Sequence, residues 1–72
     1  MKLWGLMRGK RGLAPVGLPT RADVQDWAGQ RHMPAGSYRD LRDNPSATWR
    51  EVRRLHPEFR LVRVTLNGNE RS

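Results

Sequence analysis

Cysteine is absent from the chain, which excludes disulfides and thiolate metal sites as staples. Long apolar runs are missing too: Leu3-Trp4-Gly5-Leu6-Met7 stops at Arg8. That stretch falls short of the roughly 7–15 apolar residues of a secretory signal and the ~20 of a membrane span. A cytoplasmic protein with no membrane partner is therefore expected. Acid is scarce, with seven Asp and Glu against fourteen Lys and Arg. Histidine occurs only as His32 and His56, neither with Cys, Asp or Glu at metal-ligand or triad spacing. No cofactor or metal motif is present, and a catalytic site is not expected.

What remains is small and basic. Seventy-two residues suffice for one domain. With 36% hydrophobic and 29% charged residues, its core is marginal. Three tryptophans, each able to bury about 150–250 Å², are expected to do much of the packing. The net charge of +7 makes an anionic partner plausible. Twelve arginines stand against two lysines. The planar guanidinium suits carboxylate and phosphate, although a GC-rich coding sequence produces the same excess.

Residues 2–18 read as a hairpin. Trp4 and Leu6 alternate with Leu3 and Met7, and Gly9-Lys10-Arg11-Gly12 forms the turn. Pro15 makes the second arm an edge strand. Thr20 caps a helix over residues 21–28, with Asp23 at its third position and Gly29 as its stop. Residues 30–44 show no clear period; Pro34, Gly36 and Ser37 mark turns, and Tyr38 and Leu41 could anchor one helical turn. This is the expected working loop. Asn44 and Pro45 open a second helix, with a competing capping box at Thr48-Trp49-Arg50-Glu51, and Pro57 ends it at His56. Phe59 to Leu66 is the strongest strand, with Val62, Val64 and Leu66 on its buried face and Arg63 on its wet one.

Counting reversals through a hairpin and two helices leaves the last strand parallel to the first. The expected fold is α+β: a three-stranded sheet of order 2-1-3, with two helices covering the face of Trp4, Leu6, Val62 and Val64 through a right-handed crossover. Residues 1–66 form its single domain, and 67–72 a polar tail.

Two phosphate-binding readings fail on spacing. Gly5-Leu6-Met7-Arg8-Gly9-Lys10-Arg11 has one residue too few for a nucleotide loop, no Ser or Thr after Lys10, and no following helix. Gly9-Lys10-Arg11-Gly12 has the GxxG pattern of KH domains, but only eight residues precede it where a helix is required. Two basic patches are expected instead. One, at the hairpin tip, comprises Arg8, Lys10 and Arg11; the other, on the second helix, comprises Arg50, Arg53 and Arg54. A charge-dense face is as often merely solvated. With the tryptophans assigned to the core, only Tyr38 is left to stack on bases, which weakens a single-strand reading.

The join Leu18-Pro19-Thr20-Arg21-Ala22-Asp23, Trp4 opening a hairpin, and His56-Pro57-Glu58-Phe59-Arg60-Leu61-Val62-Arg63-Val64 closing the chain resemble small phage or prophage open reading frames in size and layout. Such proteins include anti-CRISPR proteins and RNA polymerase modulators. The resemblance implies a host-modulating interaction protein or inhibitor, acting in the host cytoplasm if phage-encoded. It carries no family motif and transfers no functional residue. The expected partner is the acidic face of a host protein or nucleoprotein complex, contacted through the arginines and through Tyr38, Arg39 and Arg42 of the 30–44 loop. The alternative is a nucleic-acid-binding module that grips phosphates through the second helix and the hairpin tip. A monomer is favoured slightly over a homodimer, because the net charge opposes self-association.

Overall fold

The Thr20 hydroxyl accepts a hydrogen bond from the Asp23 amide at 3.1 Å, starting α1 (Arg21–His32) where the sequence places it. The structure is a computed structural model describing residues 2–65. The readings of Leu66 as strand and of 67–72 as a tail lie outside the described residues. Helix α1 does not stop at Gly29. It continues one turn further, to His32, with Pro34 following. Gly29 is buried, and a Cβ there would collide with Thr48 Cγ2 and lie 3.1 Å from Tyr38 Cδ1. The glycine serves close helix packing rather than termination.

Residues 35–41, within the stretch read as irregular, form α2 (Ala35–Leu41). This helix has no side-chain cap and no buried residue. Helix α3 (Pro45–Leu55) starts as expected. Asn44 accepts from the Ala47 amide at 3.2 Å, and Pro45 sits in the first turn. His56, held before Pro57, leaves helical geometry at φ −134°.

The expected sheet is overturned. Two strands, β1 (Lys2–Arg8) and β2 (Phe59–Thr65), pair antiparallel from Lys2↔Thr65 to Arg8↔Phe59. Three helices, not two, lie between them. The uncounted α2 adds one reversal of direction, so the last strand runs opposite to the first. No parallel crossover is needed. Residues 13–18 touch β1 through two isolated bridges, Trp4↔Leu18 and Met7↔Leu13. Between those bridges the Val16 amide bonds back to the Ala14 carbonyl at 2.8 Å, a three-residue turn centred on Pro15. That turn breaks the ladder, so the arm is not a third strand.

The first strand covers the core with Trp4 and Leu6 as expected, but the faces of the last strand are exchanged. The register puts Trp4, Leu6 and Arg8 opposite Arg63, Leu61 and Phe59. This is the inner face: Leu6 and Phe59 are fully buried with Val24, Ala28, Met33, Val52 and Ala14, and Trp4 and Leu61 pack beside them. Val62 and Val64 lie with Leu3 and Met7 on the outer face, away from that core. Arg63 was expected to face water away from the helices. It lies on the inner side instead, its guanidinium carbon 4.7 Å from the Trp4 ring centre. The tryptophans edge the core rather than fill it. Trp4, Trp27 and Trp49 are all half-buried, with Arg21 at 5.4 Å over Trp4 and Arg31 at 4.7 Å over Trp27.

Candidate functional site

A cleft of about 330 Å³ opens beside α2, lined by Gln30 and Met33 from the end of α1 and by Ala35, Tyr38, Arg39 and Arg42. Three side chains expected in the working loop, Tyr38, Arg39 and Arg42, thus converge on one concave surface. Two contacts fix α2 in place. The Tyr38 hydroxyl donates to Asp26 Oδ1 at 2.7 Å. The buried Thr48 hydroxyl donates to the Leu41 carbonyl at 2.8 Å. Gln30 Nε2 donates to the other Asp26 oxygen at 2.8 Å. Both carboxylate oxygens of Asp26 are therefore engaged along one side of the cleft. The hydrogen bond to that carboxylate, with partial burial, raises the Tyr38 pKa above its ordinary 10.0. The phenol stays protonated at neutral pH.

Among the described residues, neither Arg39 nor Arg42 forms an ion pair, and both are exposed. Asp40 and Asp43 follow them directly in the chain and are exposed as well. The neighbourhood is nearly balanced in charge, although two guanidiniums project at the cleft. Met33, buried against the core, supplies apolar surface. The site therefore offers one apolar contact, an oriented phenol and amide, and two forks for carboxylate.

The other expected residues lie elsewhere. Lys10 and Arg11 are exposed on a single 3-10 turn, Gly9–Arg11, after β1. Arg8 is half-buried and contacts the Leu13 carbonyl weakly at 3.5 Å. Arg50, Arg53 and Arg54 are exposed on α3. Arg54 Nε bonds Glu51 at 2.9 Å, and Arg53 reaches the Pro57 carbonyl at 3.4 Å. That pairing lowers the Glu51 pKa. Gln30 and Met33 lie within the expected 30–44 stretch, but nothing in the sequence singles them out, because their place on the cleft depends on the extra turn of α1.

Among the described residues, no helix is long and apolar enough to cross a membrane. No group of three or more His, Asp or Glu there is placed to hold a metal ion. No family model, no curated protein and no solved structure matches the chain. Function rests on the chemistry of the site itself.

Proposed function

We propose that this is a small basic interaction module that docks on an acidic face of a host macromolecular machine, in the manner of a phage-type modulator or inhibitor. The supporting observation is the convergence of Tyr38, Arg39 and Arg42 on a cleft backed by Met33. Tyrosine and arginine carry much of the binding energy at protein interfaces when they sit around a concave apolar centre. The overall charge of +7 would steer approach to an acidic surface.

The nucleic-acid reading would draw on α3 and the 3-10 turn. Arg54 is engaged by Glu51 and Arg53 leans on Pro57. Arg50 is thus the one α3 guanidinium without a hydrogen bond among the described residues. The docking module acts as a monomer, since its charge repels a second copy.

The test is a pull-down from bacterial lysate, with and without nuclease, using the wild type and an Arg39→Glu/Arg42→Glu variant. Retention of one protein after nuclease, and its loss with the variant, is the expected result. The reading fails if generic DNA or RNA binds at micromolar strength or tighter, with log affinity falling about 0.7–0.9 per phosphate contact against log salt, and the variant leaves binding unchanged.

A further inference from the structure

The other histidine-bearing end of the molecule is built differently from the cleft. Helix α1 ends at His32 and α3 is capped at its carboxyl end by His56, and both rings meet Phe59 at the start of β2. The His56 ring stacks on Phe59 with centroids 4.5 Å apart. His32 stands edge-on to both, 4.8 Å from Phe59 and 5.3 Å from His56. Arg8 is the residue directly opposite Phe59 across the ribbon, so its side chain emerges on the same inner face. Its Nε is buried and has no hydrogen-bond partner among the described residues. Arg8, Arg11 and Arg31 all lie close enough to act on His32, whose pKa falls below 6.5 through burial first and then through His56 and these three charges.

The charges acting on this corner come from each element around it: Arg8 from β1, Arg11 from the turn after it, Arg31 and His32 from α1, and His56 from the end of α3, with Arg53 reaching the neighbouring Pro57 carbonyl. Glu58 approaches from the connection into β2, its carboxylate 3.8 Å from His56 Nδ1. The carboxyl ends of α1 and α3 together contribute about one negative charge, and Glu58 adds another. Against these, Arg8, Arg11 and Arg31 alone leave about one positive charge in excess with both histidines neutral, and about three once both are protonated. Helix-end compensation accounts for some of the cations but not for the surplus, nor for a buried guanidinium nitrogen lacking an acceptor.

We propose that this corner binds a phosphate group, held by the guanidiniums of Arg8 and Arg11 and, when protonated, by His32 and His56. Arg8 and Arg11 supply charge-assisted donors, which are shorter and stronger towards oxyanions than neutral ones. Stacking on the buried Phe59 ring holds His56 in one orientation. Phosphate takes up a proton of its own over this range, so the pH dependence is read with sulfate, which stays a dianion: its binding should strengthen as the pH falls, because each histidine that gains a proton becomes a cation with both nitrogens donating. The group could arrive as free inorganic phosphate or as the terminal phosphate of a nucleotide; the chemistry of capture is the same.

Titration of the intact protein with inorganic phosphate, following the ring-proton resonances of His32 and His56 at about pH 5.5 and about pH 7.5, tests the site. Saturable shifts at both histidines are expected with phosphate, and a parallel sulfate titration should be tighter at the lower pH. Arg11→Gln is exposed and should leave the fold intact while weakening binding about tenfold, equivalent to about 1.4 kcal/mol. Arg8→Lys, checked for folding by circular dichroism, should do the same or more. Arg39→Gln should change nothing here, which separates this site from the docking cleft. A parallel titration with adenosine monophosphate distinguishes the sources: equal affinity indicates the phosphate alone, tighter binding a nucleotide. Shifts that grow linearly without saturation, sulfate binding indifferent to pH, or full affinity in Arg11→Gln would each overturn the proposal.

Discussion

The inner and outer faces of the β1–β2 ribbon each carry four apolar side chains besides glycine, Trp4, Leu6, Phe59 and Leu61 against Leu3, Met7, Val62 and Val64, but meet different fates. On the inner face Leu6 and Phe59 are fully buried beneath α1 and α3. On the outer face Leu3, Met7, Val62 and Val64 remain half-exposed. Among the described residues the 13–18 arm approaches there, with Leu13 and Gly17 lying near Gly5, Leu3 and Val64. Leu13 is itself 47% exposed. Hydrophobicity makes a face buriable, but the helices decide which one is buried. In a two-stranded ribbon, whose stability depends on what packs against it, the helix-covered side should therefore dominate the energetics.

Truncation tests this contrast most directly. Phe59→Ala should cost about 3–5 kcal/mol, the range for deleting a buried aromatic, and would leave a domain of this size barely folded. Val62→Ala, directly across the sheet from that core, should cost about 1 kcal/mol. Equal losses in urea denaturation would erase the distinction between the faces. Trp49→Ala should fall between them, at about 3 kcal/mol, because this ring edges the core and remains partly exposed.

A smaller change sharpens the inner side further. Gly29→Ala would ordinarily gain about 1 kcal/mol of helix propensity. Here the new methyl meets Thr48 and Tyr38, so a net loss of about 1–2 kcal/mol is expected, in line with overpacking penalties. A higher melting temperature in Gly29→Ala would show that α1 and α3 are not in close contact. The smallest effect concerns pH. His32 is held below its ordinary 6.5 in the folded state. Between that value and the lowered one, the unfolded chain binds more protons. Stability should consequently decline as the pH falls through this window and level off beneath it. His32→Phe keeps an aromatic ring against Phe59 and should flatten the decline; an unchanged slope would assign it to other groups.

Where the backbone is fixed by local chemistry, the sequence was readable. Thr20 with Asp23 and Asn44 with Pro45 each announce a helix start through donor satisfaction, and both starts are found. Helix α2 has no such marker. Its cap position is Pro34, it buries nothing fully, and it is held by hydrogen bonds to Asp26 and Thr48 that are remote in the chain. Missing it reversed the expected direction of β2. Side assignment failed because Phe59 and Leu61 are as apolar as Val62 and Val64, while Arg63 reads as a wet position. Only the tertiary contact with Trp4 explains an arginine on the inner face. The cleft was half legible: Tyr38, Arg39 and Arg42 stood out, whereas Gln30 and Met33 depend on the extra turn of α1.

The pairing of the first strand with the last has a consequence for how the molecule can be divided. Arg8 opposite Phe59 encloses all three helices within one stretch of chain. Closing so long a stretch carries an entropic cost that grows by only ~0.6 kcal/mol per doubling of its length, so the pairing tolerates insertion between helices. A cut at Pro34 would leave β1 and α1 on one piece, with Leu6, Val24 and Ala28. The other piece would hold α2, α3 and β2, with Val52 and Phe59. Neither piece could zip a ribbon or complete the core by itself. Mixed together, the halves should reassemble through that shared seam, making the protein a natural candidate for a split reporter whose signal depends on reunion.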